Sequence, residues 1–199
     1  MSLRVLVDRI SGHPAVYDLV QRLAGRDEVR RQMEPWLTGL SGVVLDIGGG
    51  TGQLHERFGR HVSYVCIDLE AQKLLALKRK SSSVKVLQAD GIALPLASGA
   101  ADAAVLIAVL HHVPDERIKM LYAEIHRVLG PGGQLIVLDA VWAPWRLIGR
   151  ALWAVDRGSH PRSLNAIERA LRESFEVLHG ATFTVFHEYC VFRCRKVRP

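Results

Sequence analysis

The sequence predicts an α/β protein built on a mostly parallel sheet, and three observations carry that expectation. Short, nearly continuous apolar runs recur at Val43 to Ile47, Val62 to Ile67, Val84 to Leu87, Ala103 to Ile107 and Gln134 to Leu138, as suits strands covered on both faces. Helical periodicity fills the intervals, at Ala71 to Lys80 and from Pro114 through Val128, and such alternation implies parallel pairing. A glycine-rich run, Asp46-Ile47-Gly48-Gly49-Gly50-Thr51-Gly52, follows the first strand directly. The 199 residues are enough for one continuous core and short for two, so residues 1–199 read as a single domain.

In chain order, Val16, Leu19, Val20 and Leu23 recur at helical spacing after His13-Pro14, and Gly25 can end that helix. Val29, Met33, Trp36 and Leu37 suggest a second, so residues 1–40 form an N-terminal helical stretch. The pattern changes at Gly42 to the first strand, the glycine loop and a helical segment to Phe58. The second strand closes on Asp68, and the helix after it carries its basic residues at the C-terminal end, where the dipole favours them. Gly130-Pro131-Gly132-Gly133 separates the helix ending at Val128 from the strand Gln134 to Leu138. After Asp139 a Trp- and Arg-rich segment runs to Arg162, a helix spans Leu164 to Ser174, and two β-rich runs close the chain.

Hydrophobic residues at 49% and charged residues at 23% exclude a disordered or fibrous chain. The net charge of +6 makes an anionic partner worth testing. That excess is local: residues 1–40 carry +1, residues 41–140 none and residues 141–199 +5. The tail Arg193, Arg195, Lys196 and Arg198 reads as a solubilising end. Cys66, Cys190 and Cys194 are too few and too scattered for a disulfide framework. Within one strand Cys190 and Cys194 stand about 13 Å apart, beyond bridging distance. They read as reduced, half-buried thiols without metal-ligand spacing, and no metal is expected. No stretch approaches the ~20 apolar residues of a membrane span, so a cytoplasmic location is expected.

The glycine loop carries the chemistry. Glycines at such positions let the backbone turn sharply and approach a ligand, and a following helix offers free amides. Asp68, at the end of the next strand, stands where a carboxylate can accept hydrogen bonds from ribose hydroxyls. The dinucleotide pattern started at Gly48 would require glycine at position 53, where Gln53 stands, and there is no triphosphate-binding G-x-x-x-x-G-K-[ST]. Asp46 beside the loop would repel pyrophosphate but suits a cationic amino-acid group. A ligand with an ammonium and a sulfonium fits this loop better than one with phosphates.

On these residues the chain resembles the class I S-adenosylmethionine-dependent methyltransferases, most closely the type 11 small-molecule group. The matching stretches are Leu45 to Leu54, Cys66-Ile67-Asp68-Leu69, Gln88-Ala89-Asp90-Gly91, Val109 to Asp115 and Leu129 to Leu135. The resemblance implies a Rossmann-like seven-stranded sheet with helices on both faces and an antiparallel final strand, here Phe183 to Cys194. It makes residues 41–140 the cofactor-binding half and residues 141–199 a lid segment with C-terminal strands. It also implies that Asp46, Gly48, Gly49, Gly50 and Gly52 hold the methionine part of S-adenosyl-L-methionine. Asp68, with Leu69 beside it, would hold the ribose, and Asp90 with Gly91 the adenine. Ile107 and Ala108 would lie beside the sulfonium, and the product would be S-adenosyl-L-homocysteine.

Methyl transfer from a sulfonium is an in-line displacement, so such an enzyme chiefly positions the acceptor and excludes water. A base is needed where the acceptor is protonated at neutral pH, and His112 is the candidate catalytic residue. Tyr17, His111, Trp142 and Trp145 are candidates for the acceptor pocket. Where methyltransferases of exocyclic base amines carry an (Asp/Asn)-Pro-Pro-(Tyr/Phe) loop, this chain reads Ala108-Val109-Leu110-His111, and it has no Pro-Cys dipeptide. Nucleic acid is therefore disfavoured as a substrate. On a helix over Pro144 to Arg157, Arg146, Arg150 and Arg157 fall within about 40° of one another, opposite Ile148, Leu152 and Val155. That face suits an acidic amphiphile or peripheral contact with an anionic membrane; an ordinary lid helix with solvated arginines would look the same. The expectation is an enzyme that methylates oxygen, carbon or nitrogen of a small hydrophobic or amphipathic organic acceptor. The alternatives are a quinone or lipid-precursor methyltransferase at a membrane surface, and a cofactor-binding protein without transferase activity. No oligomeric state follows from the sequence.

Overall fold

The computed structural model describes residues 26–59, 61–146, 149, 153 and 160–197. In order these form α1 (Arg26–Leu37), β1 (Gly42–Ile47), a one-turn 3-10 helix (His55–Arg57), β2 (Val62–Asp68), α2 (Ala71–Lys80), β3 (Lys85–Gln88) and β4 (Ala101–Ile107). A second 3-10 turn (Leu110–His112), α3 (Asp115–Val128), β5 (Leu129–Val141), α4 (Leu164–Arg172), β6 (Phe175–Thr184) and β7 (Glu188–Lys196) complete them. The strands join one seven-stranded sheet in the order β3-β2-β1-β4-β5-β7-β6. β7 runs antiparallel to both β5 and β6, and the pairings among β1 to β5 are parallel.

Two apolar layers explain why the central strands read as continuous runs. Leu135 and Val137 of β5 enter a core with Ile118, Leu121, Tyr122 and Ile125 of α3 and Ile167 and Leu171 of α4. Ile136 and Leu138, pointing the other way, join Met33 and Leu37 of α1 and Leu74 and Leu77 of α2. Alternate residues of one strand therefore feed opposite cores, as its period of two requires. Helices cover both faces, as expected.

The structure departs from the sequence reading in several places. The segment between Gly52 and Phe58 forms only the 3-10 turn His55–Arg57 rather than a helix. Few residues remain there between flexible glycines, so the cost of nucleating a helix is not recovered. β5 starts at Leu129 and runs through the glycine cluster, where its register jumps: Ala101 pairs with Leu129 and Ala103 with Gln134. The antiparallel strand predicted at Phe183 to Cys194 is instead Glu188–Lys196, because the chain reverses at Val185, whose N–H donates to the His187 carbonyl at 3.1 Å. That reversal contains neither glycine nor proline, hence no turn signal. The cysteines are free and fully buried rather than half-buried, and burial pushes the thiols of Cys66, Cys190 and Cys194 up to about 12. The predicted helix around Val16 to Leu23, and Tyr17 with it, lies outside the described residues.

Of the basic tail, Arg193, Arg195 and Lys196 are bound into the fold rather than left as a solubilising end, and Arg198 lies outside the described residues. Arg193 of β7 donates to the carbonyls of Trp36 and Thr38 at 2.5 and 3.1 Å and to Gln134 Oε1 at 2.9 Å, so it closes the open C-terminal end of α1 from across the sheet. Lys196 Nζ donates to the Leu129 carbonyl at 2.6 Å, and Arg195 pairs with Glu176 at 2.7 Å. In chemical denaturation, Arg193→Ala should cost about 1–3 kcal/mol, since it orphans partly buried acceptors. Arg195→Ala, which breaks an exposed pair, should stay within about 1 kcal/mol.

Candidate active site

The carboxyl ends of β1, β2, β3 and β4 converge on the glycine loop. Gly48 leaves β1 at φ +75°, a conformation that side chains rarely adopt. The N–H groups of Gly48 and Gly49 both donate to the Ile67 carbonyl, at 2.8 and 3.1 Å, which draws the loop over the end of β2. A Cβ at Gly49 would stand 2.5 Å from Asp46 Oδ2, so only glycine lets the loop lie directly on that carboxylate.

Two acids brace the loop from beneath. Asp46 is 3% exposed, and its Oδ2 accepts a 2.5 Å hydrogen bond from the Tyr64 hydroxyl of β2. Burial pushes its carboxyl up to about 6, against a smaller downward pull from Tyr64, while neighbouring Asp68 adds to the rise. Asp68 accepts from Gly50 N–H at 2.9 Å through Oδ2 and from Glu70 N–H at 2.9 Å through Oδ1. Leu69 beside it is 61% exposed, an apolar side chain left at the rim.

The third acid, Asp90, follows β3. Its Oδ1 accepts from Ile92 N–H at 3.2 Å and its Oδ2 from Arg117 of α3 at 2.5 Å. Gly91 fits against Ile47 and Leu121, where a Cβ would lie 3.0 Å from each side chain. The same loop is fixed to α3 further along, for Glu124 accepts from Leu94 N–H at 2.6 Å and Arg127 donates to the Leu94 and Leu96 carbonyls at 3.0 and 2.8 Å. Hydrogen bonding from Arg127 holds the Glu124 carboxyl below its usual range.

β4 delivers the opposite wall. Ile107 is half-buried at its end, and Ala108 takes φ +54°, the one non-glycine residue with positive φ among those described. Such a strained residue at a strand end is a recurrent feature of functional sites. Val109 then lies against the loop: a Cβ on Gly48 would meet its side chain at 2.6 Å. His111 is buried at 7%, with Nδ1 2.5 Å from Asp139 Oδ1, and His112 is exposed with its ring 4.1 Å from that of His111. A line of rings leads away from this turn: Trp153 stands 5.5 Å from His111 and 6.5 Å from Trp142, His187 5.2 Å from Trp153, and Tyr189 6.0 Å from His187.

The structure thus gathers Asp46, the loop glycines, Asp68, Leu69, Asp90, Gly91, Ile107, Ala108, His111 and His112 at one edge of the sheet. Trp142 is half-buried near that edge, whereas Trp145 is 74% exposed. Arg150 and Arg157 of the amphipathic segment lie outside the described residues. Sequence reading overlooked Tyr64, Arg117, Asp139 and Arg162. Tyr64 sits among β-rich residues like any core tyrosine, and the three charged residues acquire their partners only when distant segments meet. A groove of about 200 Å³ lined by Leu40, Asp102, Gly130 and Gln134 lies at the opposite, amino ends of β1 and β4. Ligands of open α/β sheets bind at the carboxyl ends, so the loop and not this groove is the candidate site.

Residues 45–137 match a family described as a methyltransferase domain. That match spans just under half of the chain, and over it the chain is similar to this family. Over 140 residues it is 31% identical to the ubiquinone/menaquinone biosynthesis C-methyltransferase UbiE of Hahella chejuensis, covering 63% of this chain and 55% of that protein. It is also 38% identical over 102 residues to a tRNA (carboxymethyluridine(34)-5-O)-methyltransferase of Arabidopsis thaliana, covering 51% of this chain and 24% of that one. The chain therefore spans about half, or less, of the curated relatives it matches. In three dimensions it is similar to a SAM-dependent methyltransferase of Methanosarcina mazei, with a TM-score of 0.68, 19% identity and coverage of 78% of this chain and 92% of that one. The Rossmann-like methyltransferase fold is thereby shown, with the seven strands and the antiparallel final strand that the resemblance implied. Among the described residues no helix is long and apolar enough to cross a membrane and no cluster of metal-ligating side chains occurs.

The raised carboxyl of Asp46 has a measurable sign. Its folded value of about 6 exceeds the ordinary carboxyl value of 3.8, so in that range the native state holds a proton that the unfolded chain has lost. Stability from this group is complete below about 4 and is lost as pH rises through about 6. Against Asp46→Asn as reference, wild-type stability should fall across that window by up to about 3 kcal/mol in denaturation curves. Tyr64→Phe should move the upper end of the window higher, since it removes the bond that lowers the carboxyl.

Proposed function

We propose that the protein is an S-adenosylmethionine-dependent methyltransferase that methylates a small, hydrophobic or amphipathic organic acceptor. The observation that carries this reading is the bond from Gly50 N–H to Asp68. It ties the loop to the acid of the neighbouring strand, so that one surface presents backbone amides for an amino-acid carboxylate and a carboxylate edge for ribose hydroxyls. Asp46 beneath the loop supplies negative charge toward an ammonium, and Asp90 an acceptor for an exocyclic amine. These residue types fit an adenosyl sulfonium ligand, which, when bound, supplies an electrophilic methyl group. A phosphate-bearing nucleotide fits them poorly.

The acceptor side is argued from the wall after β4. Val109 lies against the loop, and beyond it the rings of His111, Trp153, Trp142 and His187 pack edge to face in a largely buried aromatic cluster. Among the described residues the buried indole N–H of Trp153 has no hydrogen-bond partner. Aromatic faces of this kind favour a planar apolar ring. Quinone-type acceptors, named for the UbiE relatives, have that shape, and a reduced naphthoquinone is the first acceptor to try.

Titration calorimetry with S-adenosylhomocysteine should show saturable binding, weakened at least about tenfold by Asp68→Ala through loss of charge-assisted hydrogen bonds. Absence of binding, or unchanged binding in Asp68→Ala, would overturn the cofactor assignment. Transfer of a labelled methyl group to 1,4-dihydroxynaphthalene, kept reduced, is the matching acceptor assay.

A further inference from the structure

We propose that Arg117 is a specificity-determining residue of the adenosyl site: beside Asp90, it donates to N1 of the adenine whose 6-amino group Asp90 accepts. This rests on the methyltransferase reading above and adds how the site tells one purine from another.

The rim of the sheet brings a base to this pair. Asp68 stands opposite Gln88 in the register of β2 and β3. Ala89 N–H donates to the Asp68 carbonyl at 3.2 Å, and Gln88 Nε2 donates to the Leu69 carbonyl at 3.1 Å. The ribose acid and Asp90 therefore follow adjoining strands that are tied together, and a base on a ribose held at Asp68 extends along the rim to Asp90. There Oδ1 accepts from Ile92 N–H at 3.2 Å and Oδ2 from Arg117 Nη2 at 2.5 Å. The side chains of Arg117 and Asp90 are 40% and 35% exposed, so both stay open to a ligand. A guanidinium carries five N–H donors, and Asp90 is the one partner of this guanidinium among the described residues.

The two halves of the pair sit on elements that are locked to each other. Arg117 is in the first turn of α3, where its N–H donates to the Pro114 carbonyl at 3.0 Å. The loop that bears Asp90 is bound to α3 by the Glu124 bond to Leu94 N–H, by Arg127 on the Leu94 and Leu96 carbonyls, and by Leu121 against Gly91. Donor and acceptor thus stand at fixed places, one hydrogen bond apart.

What such an edge selects follows from the bases. Adenine offers a donor at its 6-amino group and an acceptor at the neighbouring N1. Hypoxanthine offers the reverse, a carbonyl at position 6 and a proton on N1. An acceptor beside a donor matches the first and opposes the second. Asp90 by itself reads one atom of that edge, and Arg117 supplies the donor for the other. The loop's own amides are partly spent, since Ile92 N–H turns onto Asp90 Oδ1 and Ala93 N–H onto the Asp90 carbonyl at 3.0 Å. The ion pair also cancels the charge of Asp90, which suits a neutral base.

The test is calorimetry with three ligands: S-adenosylhomocysteine, its 1-deaza analogue, which keeps the amine and carries C–H in place of N1, and S-inosylhomocysteine. Wild-type protein should bind the 1-deaza analogue about tenfold more weakly than S-adenosylhomocysteine, the loss of one charge-assisted hydrogen bond, and S-inosylhomocysteine more weakly still. Arg117→Met keeps the reach of the side chain without its donors. In that variant S-adenosylhomocysteine should weaken about tenfold and the 1-deaza analogue hardly at all, so that the two bind alike. An arginine that merely steadies Asp90 would weaken both ligands equally and leave their ratio unchanged. That outcome gives N1 to another donor, such as the Gly91 N–H, and overturns the proposal. Equal binding of the two ligands to wild-type protein overturns it without any variant. An exposed ion pair adds little to stability, so Arg117→Met should fold. Failure of S-adenosylhomocysteine to bind wild-type protein would count against the methyltransferase reading itself, and the proposal would fall with it.

Discussion

The glycine loop can lie over the ends of β1 and β2 only because two carboxylates hold it there. Asp46 lies under Gly49 with no room for a side chain between them, and Asp68 takes the N–H of Gly50. Backbone amides in a glycine-rich loop are costly to order, and the acids repay that cost with charge-assisted hydrogen bonds and close packing. Each acid is itself fixed, Asp46 by Tyr64 and Asp68 by Glu70 N–H. The register of β1 against β2, which sets Asp46 opposite Cys66, is the geometric condition for the whole assembly. A slip of one residue would turn Asp46 to the other face.

From this constraint the rest of the edge follows outward. β3 continues the register, placing Asp68 opposite Gln88, so Asp90 emerges two residues later on the same rim. β4, on the other side of β1, ends where Ala108 bends the chain and Val109 meets Gly48. The turn after β4 is then secured by Asp139 from β5 and by Arg162 from beyond it. Charge that looked like a surface excess in the C-terminal third is partly spent here and at α1, in guanidinium groups closing backbone carbonyls.

Much of this was legible in the sequence where the signal is local. The apolar runs located β1 to β4, and α2 was read at its observed bounds because helix formers fill Ala71–Lys80. The loop glycines, Asp46, Asp68 and Asp90 follow strands that announce themselves. What escaped depends on long-range meetings. Asp139 looked like the end of a strand until His111 was seen beside it, and Arg162 looked like part of a turn. Arg193 looked like a soluble tail, although its partners are 157 and 155 residues away. Periodicity reports burial and not partners, so it could not find them. The β6–β7 reversal was missed for the complementary reason that Val185-Phe186-His187 contains no turn residue.

The central assignment, that the braced loop at the carboxyl edge is the adenosyl site, is tested most directly by amide hydrogen exchange with and without saturating S-adenosylhomocysteine. Protection is expected in peptides spanning residues 48–52, 68–70 and 90–92, with a further decrease at 107–112 where β4 meets the loop. Protection confined to residues 39–41 and 130–134, at the opposite end of the sheet, would contradict the assignment, as would saturable binding that leaves residues 48–52 unchanged.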